Sequence, residues 1–167
     1  MAELGQEERL QPSLLDRLRD DEPGKKQESR DKRILSVSKL RESLKRDLGW
    51  LMNSGNLSDV QDLSEYPLVE ASVLNYGMPD LTGITASGAD IEAIERRLRQ
   101  TIQTYEPRII KNSLRVNVAT SDEMSPNALV FEIRCDMWSD PVPERLYLKT
   151  EVDLESGGVH IADSSGR

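Results

Sequence analysis

The chain has 167 residues, which is enough for one domain with a hydrophobic core and a tail. Its 22 basic and 30 acidic residues give a formal net charge of −8, which disfavours nucleic acid as the main partner. Cys135 is its one cysteine, which excludes an intramolecular disulfide and a cysteine-based metal site and favours a reducing, cytoplasmic setting.

Residues 1–20 begin with a polar stretch and end in a short amphipathic helix. Met1 to Glu8 lack the basic start and the apolar run of a signal peptide. No segment of the chain reaches the roughly 18 apolar residues of a membrane span, so we expect no direct insertion into a membrane. Helical spacing predicts a helix over Pro12–Leu18, with Ser13 as its N-cap and an apolar stripe of Leu14, Leu15 and Leu18.

A charged segment, residues 21–35, separates this helix from the rest of the chain. Asp21 to Arg33 contains Pro23-Gly24 and no large apolar residue, which is typical of a flexible linker. We interpret residues 1–20 as a docking helix for a partner; the alternative is that the helix packs on its own domain. We assign residues 36–162 to a single α+β domain and residues 163–167 to a polar tail.

Hydrophobic spacing predicts three further helical segments. The first, Ser38–Met52, carries an apolar stripe of Leu40, Leu44, Leu48 and Leu51. The second is a helical turn in Tyr66–Gly77, before the loop Met78–Gly83, with one side formed by Val69, Val73 and Tyr76. The third runs from Ser87 to about Tyr105, with a stripe of Ile91, Ile94, Leu98, Ile102 and Tyr105.

Beyond these helices the apolar residues alternate along the chain, which predicts strands. Leu114–Val118 is the first strand. Two longer strands follow, each with one apolar face. The apolar face of the first consists of Leu129, Phe131, Ile133, Cys135 and Met137, and that of the second consists of Leu146, Leu148, Thr150, Val152 and Leu154. A glycine turn at Ser156-Gly157-Gly158 leads to a last strand at Val159–Ile161. The sequence therefore predicts an α+β fold, with N-terminal helices packed on one face of a three- to four-stranded antiparallel meander at the C-terminus.

The stretch Glu106-Pro107-Arg108 stands between the helices and the strands. Pro107 cannot continue a helix and disfavours helical angles at Glu106, so the chain turns a corner there. Glu106 and Arg108 can then face one site as an ion pair, which fixes geometry while adding little net stability. The local chemistry leaves open whether this pair is internal or meets a partner.

The last strand provides a second candidate contact. A meander that ends in a short strand leaves an edge at Val159 and Ile161 that can pair with a strand of another chain, or is protected in the ordinary way. His160, the one histidine, is expected on the polar face between them, and Cys135 is expected to be a buried apolar residue rather than a nucleophile.

Catalysis has little support in the sequence. No phosphate-binding loop, dinucleotide fingerprint or pair of metal ligands is present, so we expect no cofactor. Glycoside cleavage needs two carboxylates, and Glu106 with Asp80 or Glu70 could supply them, which makes a peptidoglycan hydrolase the alternative function. Nothing in the spacing selects these residues, and one Phe and two Trp are few to line a sugar cleft. We therefore expect no enzymatic activity.

Three stretches, in their order and spacing, closely resemble the TssE family of type VI secretion baseplate-wedge subunits. They are Pro12–Leu18, Ser72–Gly83 and Tyr105–Ile109, and the resemblance covers nearly the whole chain apart from the linker and the tail. The chain is also similar to the equivalent wedge protein of contractile-tailed phages, whose family carries the label "lysozyme-like".

The resemblance implies a structural, non-enzymatic subunit in the bacterial cytoplasm, at the baseplate docked to the inner-membrane complex. Its implied partners are the baseplate subunits TssF, TssG and TssK and the sheath subunits TssB and TssC, and its sheet would template sheath assembly by strand pairing. The family's Glu-Pro-Arg motif, carried over to Glu106, Pro107 and Arg108, is implied to hold the wedge core. The family's Leu-Leu-Asp-Arg-Leu stretch corresponds to Leu14, Leu15, Asp16, Arg17 and Leu18 of this chain, which the resemblance implies to be a docking helix. A weaker interpretation is a small adaptor that binds through this helix alone.

Overall fold

The computed structural model describes residues 13–19, 23–24, 37–82, 90–119, 128–139 and 142–163. The predicted linker lies outside these residues except for a turn at Pro23-Gly24, and so does the predicted tail beyond Asp163. No helix within these ranges is long and apolar enough to cross a membrane.

The helices of the described ranges precede the strands along the chain. In the described ranges the α-helices are α1 Leu14–Leu18, α2 Val37–Met52, α3 Pro67–Glu70 and α4 Ile91–Tyr105. Short 3₁₀ turns lie at Leu57–Asp59, Val73–Asn75 and Lys111–Ser113. The strands are β1 Arg115–Ala119, β2 Ala128–Met137, β3 Glu144–Asp153 and β4 Val159–Asp163.

The strands form one antiparallel sheet in the order β1-β2-β3-β4. Side chains along β3 alternate strictly between exposed and buried, because successive residues of a strand point to opposite faces. His160 is exposed on β4, as expected. The predicted α+β class, with helices first and a meander last, is confirmed.

The hydrophobic core lies between the apolar face of the sheet and the stripes of α2 and α4. Leu44 and Leu48 of α2 and Ile102 of α4 are fully buried, and Phe131 of β2 lies in the same cluster. Cys135 is buried there too, and loss of solvent raises the pKa of its thiol to about 12. A thiol with so high a pKa is a poor nucleophile, which agrees with its expected apolar role.

Two helical predictions differ from the structure. Helix α4 begins at Ile91 instead of Ser87, because the Asp90 carboxylate caps it by accepting a hydrogen bond from the Ala93 amide at 3.0 Å. The predicted turn at residues 66–77 is split into α3 and a 3₁₀ turn. Ser72 causes the split, since its hydroxyl accepts from the Leu74 amide and starts a new turn. As a result Val73, predicted to share one side of the turn with Val69 and Tyr76, is 80% exposed.

Candidate partner-binding site around a buried ion-pair network

The corner after α4 is set by its backbone. Glu106 leaves helical geometry at φ −118° and ψ 83°, while its amide still donates to the Ile102 carbonyl at 2.9 Å. Pro107 follows and is exposed. This is the predicted corner, and its cause is the restriction that a proline imposes on itself and on the residue before it.

Glu106 and Arg108 form a two-pronged ion pair across this corner. Arg108 Nε donates to Glu106 Oε1 at 2.7 Å, and a terminal nitrogen of the same guanidinium donates to Oε2 at 2.5 Å. The Arg108 amide adds a third bond to Oε1 at 3.1 Å. Glu106 is only 4% exposed, so its carboxylate depends on Arg108 for charge compensation.

Helix α2 supplies further partners for Arg108. Its guanidinium donates to Asp47 Oδ2 at 2.7 Å and to the Ser43 hydroxyl at 3.1 Å. Ser43 and Asp47 are four residues apart and therefore lie on one side of α2. With Glu106 on one side and Asp47 on the other, the guanidinium is held between two carboxylates of its own domain.

The network continues from α2 to α1. Arg46 bonds to Asp47 Oδ1 at 2.8 Å through Nε and to Asp16 Oδ1 of α1 at 2.6 Å through a terminal nitrogen. The Ser43 hydroxyl donates to the other oxygen of Asp16 at 2.7 Å. Sequence reasoning proposed α1 and the corner as separate contacts, whereas the structure joins them in one chain of alternating charges.

The electrostatics of the network favour its charged form. Partial burial opposes ionisation of Asp16, but hydrogen bonds from Arg46, Ser13 and Ser43 outweigh it and hold the pKa of this carboxyl well below its usual range. Burial likewise opposes the charge on Arg108, yet its bonds to Glu106 and Asp47 raise the pKa of this guanidinium further. Both groups therefore stay ionised at neutral pH.

Helix α1 rests on its own domain through its polar side. Asp16 makes the contacts to α2, whereas Leu14 and Leu18 are 71% and 75% exposed and no residue of α1 is buried. The self-packing alternative therefore holds for the polar face, and the predicted apolar stripe of Leu14, Leu15 and Leu18 remains accessible. A docking role for that stripe stays a prediction.

The Asp16 contact gives α1 a pH dependence. Because the Asp16 pKa is lower when α1 is docked than when it is free, docking is fully favoured above the unperturbed carboxyl pKa of about 3.9. We expect docking to weaken as the pH falls below that value and through the lowered pKa. The amide NMR signals of Arg17 and Arg19 should therefore move only below about pH 4.

Asp16→Asn is the matched control for this prediction, since it keeps the size of the side chain and removes the titration. In this variant the same amide signals should already report an undocked α1 at pH 7 and should not change between pH 5 and 2. A wild-type transition between pH 5 and 7 would contradict the assignment to Asp16.

The chain after the corner is tied to the end of β2. The Trp138 amide donates to the Arg108 carbonyl at 2.7 Å, and the Ile110 amide donates to the Asp136 carbonyl at 2.9 Å. These bonds flank a bridge between Ile109 and Met137. The corner is therefore held by the ion pairs on one side and by the sheet on the other.

An open groove of about 430 Å³ lies against this corner. Tyr76 and Tyr105 pack edge to face at 5.3 Å between ring centres, and the Tyr105 hydroxyl donates to the Asn75 carbonyl at 2.7 Å. Trp138, at 62% exposure, stands at the rim. The lining residues are Ser13, Leu40, Asp47, Leu51, Tyr76, Tyr105, Glu106, Pro107, Arg108 and Trp138. Such a mixture of exposed aromatic and fixed polar groups is typical of protein contacts.

The second predicted contact, the β4 edge, is partly occupied. The Asn53 amide group bonds to both backbone groups of Val159, each at 2.9 Å. The Ile161 side chain is buried in the core. A partner strand could therefore pair at Val159 only by displacing Asn53, which sequence reasoning did not anticipate.

The carboxylates considered for glycoside cleavage are not brought together. Glu106 lines the groove at the corner with both oxygens bonded to Arg108, whereas Asp80 lines a different groove and accepts a bond from the Thr82 amide. Glu70 lines neither of these two grooves and is exposed. Among the residues that the structure describes, no cluster of histidine, cysteine and carboxylate side chains could hold a metal ion.

Sequence reasoning missed Ser43, Arg46 and Asp47. Ser43 is buried and lies beside the leucine stripe of α2, with Asp47 one turn later. Polar residues at this four-residue spacing, next to an apolar stripe, are a usable signal for a buried polar contact. The sequence holds no signal for their partners, because Asp47 and Arg108 are 61 positions apart.

Comparison with known families identifies a match over most of the domain. The family described as "Baseplate wedge protein gp25" matches residues 38–142. The matched range runs from α2 to the loop after β2 and includes the whole Glu106-Pro107-Arg108 corner, whereas α1, β3 and β4 lie outside it. No curated protein matches the chain.

Proposed function

Because the chain belongs to the family of baseplate wedge protein gp25, a family of structural subunits of phage-tail-like baseplates, we propose that it is the TssE-type wedge subunit of a type VI secretion system. In this role it contacts the wedge subunits TssF and TssG and the TssK-containing complex. It joins them to the TssB/TssC sheath in the bacterial cytoplasm, at the baseplate docked to the inner-membrane complex. The role is structural and non-enzymatic.

The observation that carries the proposal is the geometry of the family-matched corner. The Glu106 and Arg108 side chains satisfy each other inside the domain, so they are not free for chemistry. Their effect is to fix Pro107 and the neighbouring Trp138 at the surface, and Trp138 is tied to the Arg108 carbonyl. We infer that the wedge partner binds this aromatic rim and the groove behind it, rather than the ion pair.

The contact residues follow from this division of roles. Glu106 and Arg108 position the groove, and Pro107 and Trp138 meet the partner. The exposed leucines of α1 form a second contact on the same side of the chain, because Asp16 ties that helix to the same ion-pair network and Ser13 lines the same groove. Both predicted contacts would then serve one composite wedge interface.

Co-purification of the tagged chain with TssF and TssG tests this proposal. We expect Trp138→Ser to reduce retention of the wedge subunits by about tenfold or more, as loss of an interface aromatic does. Trp138 is exposed, so the variant should keep its fold, which circular dichroism can verify.

Leu68→Ser is the matched control, since Leu68 is an exposed apolar residue of α3 outside the groove. It should retain the wedge subunits like the wild type. Equal retention by Trp138→Ser and the wild type would exclude the groove as the contact, and absence of retention by the wild type would contradict the wedge role itself.

A further inference from the structure

The β1 edge of the sheet is covered by side chains of α4. The Val118 amide donates to Glu95 Oε1 at 2.7 Å, and Arg99 donates to the Val116 carbonyl at 3.5 Å. These two helix residues occupy the backbone groups that a neighbouring strand would otherwise bind. An incoming strand would have to displace both side chains and the helix that carries them.

The opposite edge is formed by β4, and its register shows which groups point outward. The Asp153 amide donates to the Gly158 carbonyl at 2.9 Å, so these two residues form a hydrogen-bonded pair of the antiparallel ladder. Hydrogen-bonded and non-hydrogen-bonded pairs alternate along such a ladder. The amide and carbonyl groups of Val159, Ile161 and Asp163 therefore point away from β3.

Asn53 occupies the first of these outward positions. Its side-chain nitrogen donates to the Val159 carbonyl and its side-chain oxygen accepts from the Val159 amide, as a residue of a neighbouring strand would do. The same nitrogen donates to the Gly49 carbonyl at 2.7 Å, which anchors Asn53 to the end of α2. Within the described part of the chain, no hydrogen bond to the outward groups of Ile161 or Asp163 continues this pattern.

We propose that Asn53 closes the start of the β4 edge, so that a partner strand pairs with β4 from Ile161 onward. The occupant is an extended strand of a sheath subunit, and the proposal rests on the sheath-joining role proposed above. Asn53 acts as a positioning residue, because it sets the register by denying the partner the Val159 position. Since side-chain periodicity along a strand is two, this register decides which partner side chains face the core side.

The Asn53 contact also protects the free subunit. An open edge invites pairing with other copies of the chain, and a polar side chain bonded to the first edge residue shortens the pairing segment. A partner strand that pairs from Ile161 onward leaves both hydrogen bonds of this contact in place.

Hydrogen exchange on the free protein tests the open edge directly. In the wild type the Ile161 amide should exchange at least about tenfold faster than the Val159 amide, because only the latter has a partner. In Asn53→Ala the Val159 amide should lose its protection and exchange as fast as the Ile161 amide. Protection of Ile161 equal to that of Val159 in the wild type would overturn the proposal.

Binding to the purified TssB/TssC pair tests the register. Asp163→Pro removes one outward amide and leaves the bonds of β4 to β3 intact, so we expect binding about tenfold weaker. Asn53→Ala should bind at least as tightly as the wild type, because a competitor for the edge has gone. Asn117→Ala, in the opposite edge strand, is the matched control and should equal the wild type.

The two experiments separate failure of this inference from failure of the proposed function. Unchanged binding by Asp163→Pro, or loss of binding by Asn53→Ala, would overturn the pairing register even when the sheath pair binds. If the wild type does not bind the sheath pair, the sheath-joining role is wrong, and equal exchange of Ile161 and Val159 would overturn the open edge independently.

Discussion

Arg108→Ala should lower the free energy of unfolding by about 3–5 kcal/mol, as removal of one partner from a buried ion pair does. The variant leaves the Glu106 carboxylate, which is 4% exposed, without its compensating charge. It also leaves Asp47 with Arg46 as its remaining cationic partner. The loss exceeds the net contribution of the pair, because most of it is the cost of an unpaired buried carboxylate.

Urea unfolding followed by circular dichroism measures this loss, and two variants serve as controls. Arg134→Ala removes a surface ion pair with Glu132, in which the Arg134 side chain is 57% exposed and the Glu132 side chain 43%. This variant should lower the free energy of unfolding by less than about 1 kcal/mol. Adding Glu106→Gln to Arg108→Ala removes the unpaired charge and should recover part of the stability. A cost for Arg108→Ala as small as that for Arg134→Ala would show that the corner is not a buried clamp.

Gly77→Ala is the second change with a large expected effect, a loss of about 3 kcal/mol or more, to which the strained backbone alone contributes about 1–3 kcal/mol. Gly77 has φ +137°, a conformation that other residues rarely adopt. An added Cβ would also meet the Ser54 carbonyl oxygen and lie 2.7 Å from the Gly55 carbonyl carbon. Both are backbone atoms, so neither can move aside without shifting the end of α2.

Gly49→Ala is the matched control for this change. Gly49 lies inside α2 with nothing within 4 Å of an added Cβ, so the substitution should stabilise the domain by about 0.5–1 kcal/mol through helix propensity. Thermal unfolding of both variants gives the comparison. A Gly77→Ala variant as stable as the wild type would show that the close approach between residues 54–55 and 77–78 is not essential to the fold.

The long elements could be predicted because their periodicity is sustained. The leucines of α2 recur on one face from Leu40 to Leu51, and burial alternates along β3 and along β2 from Phe131 to Met137, so burial on one face decides the structure. The structure of residues 66–77 was harder to predict from the sequence. In segments of three or four residues, a single hydrogen bond from a backbone amide to a serine hydroxyl can outweigh the apolar spacing.

The candidate site could be predicted only in part. The Glu106-Arg108 ion pair could be predicted from the sequence, because the turn at Pro107 brings the two side chains together locally. The contacts of Arg108 with Asp47 and of Asn53 with Val159 were not, because they span 61 and 106 positions and depend on where α2 lies against the sheet. Local sequence rules identify which polar residues are unusual, while tertiary packing decides which of them meet.

The measurement that tests the central claim most directly is a count of assembled sheaths in bacterial cells that carry a fluorescent sheath subunit and lack this chain. We predict no extended sheaths without the chain, recovery with the wild type or with Leu68→Ser, and little recovery with Trp138→Ser expressed at the same level. Normal numbers of sheaths in the absence of the chain would contradict its role as a baseplate wedge subunit, and full recovery with Trp138→Ser would contradict the groove at the Glu106-Pro107-Arg108 corner as its wedge contact.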